Sequence, residues 1–421
     1  MSGGSDKLNH RVPVVVIGAG HAGLGVSRVL SEHGLEHVVL ERGEVANTWK
    51  TERWDSLRLL TPNSLTRLPG GFGYDGDDPD GFMPVAELAG WLERYASKVD
   101  APVQTHTTVT SVAPDDGGGY VVTTDQGVWH TAAVVLASGG FNAPRVPEVA
   151  AGLPGALHQV TPHDYKRPDQ LAGGRVLVVG ASATGLQLAD ELLRSGRDVT
   201  IAVGEHVRMP RRYRGRDAFT WLGRLGRLDE RFDEVDDLVR ARRVPSPQLV
   251  GTPDAAGLDL NALVDRGAEL VGRLAMVRDG TALLSGSLRN VCSLADLKQS
   301  RLLDGIDAWV AANEGDPTPG ERPEPTRISA DPRTSIDLLA EGYTTVLWAT
   351  GFRADYSWLQ LPVLDRKGEI RHDGGVVTGA PGLYRLGTNF LRRRKSSFIF
   401  GLEDDAVDIV ESLLAHLRGA F

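Results

Sequence analysis

The fold of this chain is decided by the stretch Val12-Pro13-Val14-Val15-Val16-Ile17, which runs directly into Gly18-Ala19-Gly20-His21-Ala22-Gly23. The apolar run is rich in β-branched residues, which predicts a strand buried on both faces, as in a parallel sheet. Helical spacing follows from Leu24 to His33, with Gly34 as the expected cap, and Val38-Val39-Leu40 predicts the next strand. A strand, a glycine turn, a helix and a second strand make a βαβ unit.

The glycine turn has the spacing of a dinucleotide-binding motif. Gly18 permits the tight turn, Gly20 lets the backbone approach a pyrophosphate, and Gly23 lets the helix pack closely on the strand. The N–H groups that open the helix favour phosphate. Glu41 lies 18 positions after Gly23, near the ~20 expected for an acid that binds a ribose hydroxyl. The sequence therefore predicts a dinucleotide site, with a βαβ unit that binds nothing as the alternative.

A second copy of the pattern begins with the strand Arg175–Val179 and the turn Gly180-Ala181-Ser182-Ala183-Thr184-Gly185. Ser182 replaces the middle glycine, and the position of Glu41 maps to Val203, which carries no carboxylate. Several arginines follow that strand: Arg208, Arg211, Arg212, Arg214 and Arg216. Loss of the acid and gain of arginine favour a nucleotide with a 2′-phosphate. The alternative is that the arginines form a solvated face or pair with nearby carboxylates, namely Asp217, Asp229 and Glu230.

The chain repeats one plan of glycine turn, β-meander and closing strand. The first round spans Gly18 to Gly139, a distance of 121 positions, and the second spans Gly180 to Gly351, a distance of 171. Both closing strands end in Ala-Ser/Thr-Gly. We expect the 50 additional positions of the second round to form a charged, helical insertion around residues 205–253.

Composition excludes several classes of protein. The formal net charge of −9 argues against a duplex nucleic-acid binder. Cys292 is the only cysteine, so an intrachain disulfide framework, a cysteine-based zinc site and a CxxC redox pair are excluded. No HExxH motif or other metal-ligand spacing occurs, and no apolar run approaches ~18 residues. The polar residues 1–10 contain no apolar signal core, so we expect a cytoplasmic protein without a metal or a membrane partner.

Two such folds, each closed by an Ala-Ser/Thr-Gly strand, resemble the flavoproteins with two dinucleotide-binding domains, from Val14 to about Leu417. The resemblance implies an α/β fold with two Rossmann-like, three-layer ββα domains, the NADPH domain being inserted in the FAD domain. We expect residues 1–155 and 326–421 to form the FAD-binding domain and residues 156–325 the NADPH-binding domain.

Further segments resemble the flavin-containing monooxygenases, most closely the plant auxin-forming and bacterial members. The disulfide-reductase branch needs a redox-active cysteine pair, which this chain lacks. The segments that carry the resemblance are Asn47-Thr48-Trp49, Arg53–Leu59, Val135–Gly139 with Pro144 and Pro147, Trp348–Phe352 and Gly382–Gly387. The histidine of the family's linker fingerprint comes one place early, at His158, so nitrogen, sulfur and Baeyer–Villiger oxygenation all stay open.

The resemblance implies an FAD-dependent enzyme that consumes NADPH and inserts one oxygen atom from O2 into a small organic substrate through a C4a-(hydro)peroxyflavin. It implies Asn63 as the catalytic residue, with a turn residue after Pro62 as the alternative. A flavin-dependent NADPH oxidase or quinone reductase, a non-catalytic redox-sensing flavoprotein and a homodimer stay open. So does the role of the basic run Arg392–Lys395. The candidate cofactor-binding residues are Gly18, Gly20, His21, Ala22, Gly23, Glu41, Arg42, Trp49, Arg58, Thr61, Val109, Ser138, Gly180, Ser182, Ala183, Thr184, Arg208, Arg212, Gly351 and Phe352.

Overall fold

The computed structural model describes residues 8–419 and contains two parallel sheets. The first sheet is parallel through five strands and ends in an antiparallel hairpin at one edge. The four residues of its central strand are all buried, as the continuous apolar run predicted. In spatial order the strands are His372–Asp373, Val376–Val377, Leu383–Arg385, Ala133–Leu136, Val14–Ile17, His37–Leu40 and Val103–Gln104.

A layer of helices and a second layer of strands cover the two faces of the first sheet. Side chains alternate along a strand, so Val14 and Val16 join the helical core while Val15 and Ile17 face the strands. The helices are His21–Glu32, Asn47–Thr51, Val85–Lys98 and Leu402–Gly419. The covering strands are Leu8–Arg11, Gly127–Thr131, Tyr120–Thr124 and Val109–Pro114, the last three being the predicted meander.

The second sheet is parallel throughout, and four of its five strands repeat the order of the first sheet. Its outer strand His158–Val160 comes first in sequence, whereas the matching strand Leu383–Arg385 of the first sheet comes last. Its strands are His158–Val160, Tyr343–Trp348, Arg175–Val179, Val199–Val203 and Glu269–Gly272. Helices pack on one face, and a three-stranded meander packs on the other. The helices of this part of the chain are Ala183–Arg194, Ala218–Arg224, Leu238–Arg242, Leu260–Asp265 and Leu288–Asn313. The meander strands are Leu274–Arg278, Thr281–Leu284 and Ser335–Asp337.

The chain crosses between the two units in a short antiparallel ribbon. Ala143–Pro144 on the way out pairs with Phe352–Arg353 on the way back. The expected boundaries at 155/156 and 325/326 are therefore wrong. Residues 150, 153 and 157 already pack in the second core, and Tyr343–Trp348 is a strand of the second sheet. The second unit thus extends from about residue 145 to about residue 351.

The surplus of the second round does not lie at residues 205–253, so that prediction is also wrong. Residues 204–268 join the strand Val199–Val203 to the strand Glu269–Gly272. This connection has 65 residues, and the matching connection of the first unit, residues 41–102, has 62. Instead, residues 285–334 separate the last two strands of the second meander, where the first meander has only residues 125 and 126. This segment carries the 26-residue helix Leu288–Asn313. The prediction rested on the high charge of residues 205–253. A charged segment can still be the counterpart of a connection in the other unit, so charge alone does not identify an insertion.

No helix within residues 8–419 combines the length and the apolar character needed to cross a membrane. The prediction that residues 1–10 contain no apolar signal core falls mostly on residues 1–7, which lie outside the described part of the chain. Small elements complete the fold. They are the hairpins Arg67–Leu68 with Phe72–Gly73 and Arg212–Tyr213 with Arg216–Asp217, and the 3₁₀ turns Asn63–Leu65, Glu148–Gly152, Pro168–Gln170 and Ile399–Gly401.

Candidate functional site

The first glycine turn is closed against the protein on two sides and open on the third. Gly18 has φ +105°, and an added Cβ would lie 2.7 Å from the Ala137 carbonyl oxygen. A Cβ at Gly23 would collide with the Gly18 carbonyl oxygen, whereas a Cβ at Gly20 would meet nothing within 4 Å. The open side lies at the N-terminus of the helix His21–Glu32, where N–H groups lack intrahelical partners. The turn can therefore admit an anionic group against its backbone.

Glu41 stands at the end of the neighbouring strand and is bound to the turn. Its Oε2 accepts a hydrogen bond from the Ala19 N–H (2.8 Å), and its Oε1 accepts one from the Gly43 N–H (3.1 Å). The carboxylate is buried and held in one orientation. Ser138 adjoins the same turn, because its Cα would lie 3.2 Å from a Cβ at Gly18. The predicted acid and turn residues therefore share one site at the carboxyl ends of the strands.

His21 opens the helix with a neutral ring. Burial lowers its pKa to about 4, and its Nε2 is buried without a hydrogen-bond partner among the described residues. Ala22 lies beside it, against the Gly387 backbone. A neutral imidazole adds no positive charge to the turn, so His21 can contribute a hydrogen bond rather than a charge.

The second turn reproduces this geometry. Gly180 has φ +116°, and a Cβ there would collide with the Ala349 carbonyl oxygen, as Gly18 meets Ala137. A Cβ at Gly185 would collide with the Gly180 carbonyl oxygen. Ser182 precedes the helix Ala183–Arg194, and its hydroxyl makes no capping hydrogen bond to that helix. The serine hydroxyl and the opening N–H groups of the helix are therefore free to meet a ligand.

The arginines that follow the strand Val199–Val203 are mostly tied to carboxylates. Arg208 is buried and donates to Asp259 and Asp296, both at 2.8 Å. Arg211 is buried and donates to Asp217 at 2.7 Å. Arg214 and Arg216 pair with Asp307 and Glu314, respectively. Of the carboxylates expected as alternative partners, only Asp217 pairs with one of these arginines, since Asp229 and Glu230 pair with Lys395 and Arg394. The exposed side chain among the five arginines is that of Arg212.

Asn63 is a buried residue in a loop of the first unit. Its Nδ2 donates to the Asp78 carbonyl (2.8 Å), while its Oδ1 is buried without a described partner. Thr61, two residues earlier, is also buried. Arg58 donates to the Phe82 carbonyl (2.7 Å), so it anchors the same loop. The Asn63 carboxamide thus stabilises the loop through its N–H group, as a turn residue would. Its Oδ1 stays available to accept a further hydrogen bond.

Arg53 forms an aromatic and cationic cluster beside the ribbon. Its guanidinium lies 5.4 Å from the Trp49 ring centre and 6.0 Å from that of Phe141. Phe352 packs edge-on against Phe141 and 5.1 Å from the His163 ring. Burial lowers the pKa of both Arg53 and His163. This cluster therefore contacts both segments that cross between the units, through Phe141 and Phe352.

The remaining predicted residues occupy more peripheral places. Arg42 is exposed and pairs with Glu52. Val109 begins a covering strand two residues after Thr107, whose N–H donates to the Glu41 carbonyl (2.8 Å). Gly351 takes φ +87° directly before the ribbon. No group of three or more His, Cys, Asp or Glu side chains within residues 8–419 is arranged to hold a metal ion.

The basic run Arg392–Lys395 forms ion pairs with carboxylates of the protein. Arg392 and Arg393 both pair with Asp408, and Arg393 also reaches the fully buried Asp405 at 2.7 Å. Arg394 pairs with Glu230, and Lys395 pairs with Asp229 and Asp404, each at 2.6 Å. The run therefore connects the last helix with a segment of the second unit.

Sequence reasoning missed Gln248, which contacts the second turn. Its Nε2 donates to the Ala181 carbonyl (2.7 Å) although 67 residues separate the two. Nothing in the local pattern around Gln248 signals this contact, because it depends on how the long connection 204–268 returns to the turn. Arg53 also had no predicted role, although it belongs to the segment Arg53–Leu59 that resembles the flavin-containing monooxygenases.

Comparisons with known proteins agree with this geometry. The family model "Pyridine nucleotide-disulphide oxidoreductase" matches residues 15–216. An uncharacterized CzcO-like oxidoreductase of Geobacillus kaustophilus is 30% identical over 413 residues, covering 97% of this chain and 100% of that protein. The indole-3-pyruvate monooxygenase YUCCA6 of Arabidopsis thaliana is 32% identical over 214 residues, covering 49% of this chain and 51% of that protein.

Among solved structures, a flavin-containing monooxygenase from Stenotrophomonas maltophilia superposes with a TM-score of 0.67 at 20% identity, covering 97% of this chain and 99% of that one. This likeness extends to the mixed α/β architecture with parallel sheets. The resemblance drawn from the glycine turns and closing strands is confirmed. The chain belongs to the family of the CzcO-like oxidoreductases, and it is similar to flavin monooxygenases in fold and across about half of its sequence.

Proposed function

We propose that the chain is a two-domain enzyme that binds FAD at the first glycine turn and NADPH at the second, and that it inserts one oxygen atom from O2 into a small organic substrate. The observation that carries the proposal is the duplicated turn. Both copies are closed by strand backbone, and Gly20 and Ser182 leave the ligand side free. Two such turns on two parallel sheets fit two dinucleotides rather than one.

The first turn supplies what FAD binding requires. The helix N-terminus at His21 faces the position of a pyrophosphate, and a Cβ in the cradle at Gly20 would occupy that space. Glu41 is oriented by two backbone N–H groups, so its carboxylate can accept hydrogen bonds from ribose hydroxyls. Trp49, Arg58, Thr61 and Val109 belong to the surrounding segments and are proposed to enclose the rest of the molecule.

The second turn is proposed to bind NADPH through Ser182, Ala183 and Thr184. The free Ser182 hydroxyl can donate a hydrogen bond to a phosphate oxygen, whereas a glycine at this position could offer only its backbone N–H. Arg208 is held by two carboxylates, which leaves the exposed Arg212 as the predicted arginine that is available for a 2′-phosphate. Preference for NADPH is thus proposed from the absence of an acid at Val203 and from the family.

When bound, NADPH supplies a hydride to FAD, and the reduced flavin supplies the electrons that activate O2. The protein must then exclude water and orient the substrate between the two turns. Phe141, Phe352 and Trp49, which cluster with the Arg53 guanidinium, are proposed as apolar walls for the substrate. Asn63 is proposed as the catalytic residue, because its free Oδ1 can accept a hydrogen bond from a protonated oxygen at the reacting centre.

The experiment is an anaerobic reduction followed by exposure to air. NADPH should bleach the flavin absorbance under nitrogen, and air should restore it. Oxygen uptake with amines, thioethers and ketones should then yield an oxygenated product with little H2O2. Absence of bleaching would favour a redox-sensing flavoprotein, and conversion of all the O2 to H2O2 with every substrate would favour an oxidase. Equal efficiency with NADH would remove the 2′-phosphate part of the proposal.

A further inference from the structure

Gln248 carries an unpaired hydrogen-bond acceptor into the second glycine turn. Its side chain is 2% exposed, its Nε2 donates to the Ala181 carbonyl, and its Oε1 is buried without a partner among residues 8–419. Leaving a buried acceptor unsatisfied costs about 1–3 kcal/mol. Such an atom needs a donor, which an ordered water or a bound ligand can bring.

The segment around Gln248 is fixed by both units. The Gln248 N–H donates to the Val207 carbonyl (2.8 Å), and Leu249 is fully buried against Phe219. At Gly251, a Cβ would collide with the Leu59 carbonyl oxygen and lie 2.8 Å from the Phe82 Cβ. Gln248 therefore lies between the second turn and the first unit, and its carboxamide is held rather than mobile.

The two turns differ at the corresponding contact. In the first, the Ala19 carbonyl accepts from the backbone N–H of Ala46 (3.1 Å). In the second, the equivalent Ala181 carbonyl accepts from the carboxamide of Gln248 (2.7 Å). A carboxamide satisfies the same carbonyl and adds an acceptor that a backbone N–H lacks. The second site thereby gains an atom able to recognise a neutral donor, which phosphates do not provide.

We propose that Gln248 is a binding residue for the nicotinamide of NADP(H), and that its Oε1 accepts a hydrogen bond from the carboxamide N–H of that ring. The assignment rests on the proposed function, in which hydride leaves the nicotinamide for a flavin in the first unit. Because Gln248 lies between the second turn and the first unit, it is proposed to contact the nicotinamide end of the nucleotide, which must face the first unit. Of the nucleotide's donors, the carboxamide N–H belongs to the ring that must be oriented for transfer.

The test compares two nucleotides on the protein with oxidised FAD, without turnover. NADP⁺ carries the carboxamide donor, and its 3-acetylpyridine analogue has a methyl in place of the amino group. Dissociation constants are measured by titration calorimetry for wild type and Gln248→Met, which keeps the length of the side chain. Gln299→Met is the matched control, because Gln299 is a buried glutamine of the helix Leu288–Asn313.

We expect Gln248→Met to reduce the preference for NADP⁺ over the analogue about three- to tenfold, as for loss of one neutral hydrogen bond, beyond any weakening common to both nucleotides that follows from the lost hydrogen bond to Ala181. Equal weakening of both nucleotides, or of neither, would overturn the assignment. Gln248→His serves as a second variant if Met disturbs folding, since a neutral imidazole can donate to the Ala181 carbonyl and retains an acceptor, so it should discriminate between the nucleotides as wild type does. Failure of wild type to bind NADP⁺ at all would instead overturn the proposed function.

Discussion

Gly20 and Gly23 stand three residues apart in one turn, yet their surroundings differ completely. A Cβ at Gly23 would collide with the Gly18 carbonyl oxygen, whereas one at Gly20 would meet no protein atom within 4 Å. Gly20 also has φ −80°, which any residue adopts. Packing within the protein therefore explains Gly23, whereas for Gly20 we propose that a bound phosphate needs the space.

This difference predicts opposite effects for the two alanine variants. Gly20→Ala should leave the unfolding free energy of the apoprotein within about 0.5 kcal/mol of wild type while weakening FAD binding, because its methyl enters the space for phosphate. Gly23→Ala should destabilise the apoprotein by about 1–3 kcal/mol or more through overpacking. Denaturant unfolding and FAD titration of both variants measure this. A stable Gly23→Ala protein, or one with Gly20→Ala that binds FAD normally, would contradict it.

His21 predicts a pH dependence of stability. Its pKa is about 4 in the folded protein because burial disfavours the charged ring, against about 6.5 when unfolded. The neutral form favours folding, so this contribution is present above pH 6.5 and is lost as the pH falls toward 4. At pH 5 the loss is about 2 kcal/mol. His21→Gln apoprotein should therefore lose less stability than wild type between pH 7 and pH 5 in urea unfolding, and identical losses would contradict the assignment.

The last helix, Leu402–Gly419, is held by an ion pair between its Asp405 and Arg393, which precedes the helix. Asp405 is fully buried, and burial raises the pKa of its carboxyl group although Arg393 donates to it at 2.7 Å. Removing one partner of a buried pair leaves an uncompensated charge. The pair between Arg394 and Glu230 is partly exposed and so contributes less.

Two matched variants separate these contributions. Arg393→Met should lower the unfolding free energy by about 3 kcal/mol because Asp405 loses its guanidinium. Arg394→Met should cost about 1 kcal/mol or less. Urea unfolding at neutral pH measures both. Comparable losses would show that the basic run acts as one diffuse charge cluster instead of through the buried pair.

At the scale of elements, local patterns were enough for the central strands and both glycine turns. The apolar runs at Val14–Ile17 and Arg175–Val179 are buried strands, as their β-branched residues predicted. The last strand of the second meander, Ser335–Asp337, could not be found this way. It is three residues long, has two exposed side chains, and follows its partner after 50 residues.

Partnerships across long sequence distances were equally inaccessible. Arg208 pairs with Asp259 and Asp296, which are 51 and 88 positions away, so a local pattern could not assign it to a ligand or to a carboxylate. Gln248 and Ala181 pose the same difficulty at the candidate site. Motif spacing located the two turns because each motif is contiguous, whereas the groups that complete a site come from distant connections.

At the scale of the whole molecule, the two units share the order of four parallel strands around the glycine turn. Each sheet has a central strand that ends in a glycine turn, and each closing strand meets that turn through an alanine carbonyl at Ala137 or Ala349. The ribbon Ala143–Pro144 with Phe352–Arg353 follows both closing strands directly. The carboxyl ends of both sheets are therefore adjacent along the chain to a single crossing, where the Arg53 cluster lies.

The position of Cys292 decides which route electrons can take through this arrangement. A thiol relay within one chain needs two cysteines, and the sequence has one. Cys292 is fully buried in the core of the second unit, and burial raises the pKa of its thiol to about 11. Attack on a disulfide requires an accessible thiolate. Neither an intrachain nor an intermolecular disulfide can therefore take electrons from the flavin through this residue.

Cys292→Ala should accordingly retain the wild-type rate of anaerobic flavin reduction by NADPH, with a stability loss of about 1 kcal/mol from the small cavity. In wild type, a thiol reagent such as 5,5′-dithiobis(2-nitrobenzoate) should label Cys292 only after unfolding in guanidinium, because the native thiol is neither exposed nor ionised. Stopped-flow absorbance and labelling kinetics measure the two. Rapid labelling of the native protein, or flavin reduction that depends on Cys292, would restore a thiol route. Their absence leaves direct transfer from the reduced flavin to O2 or to a bound substrate.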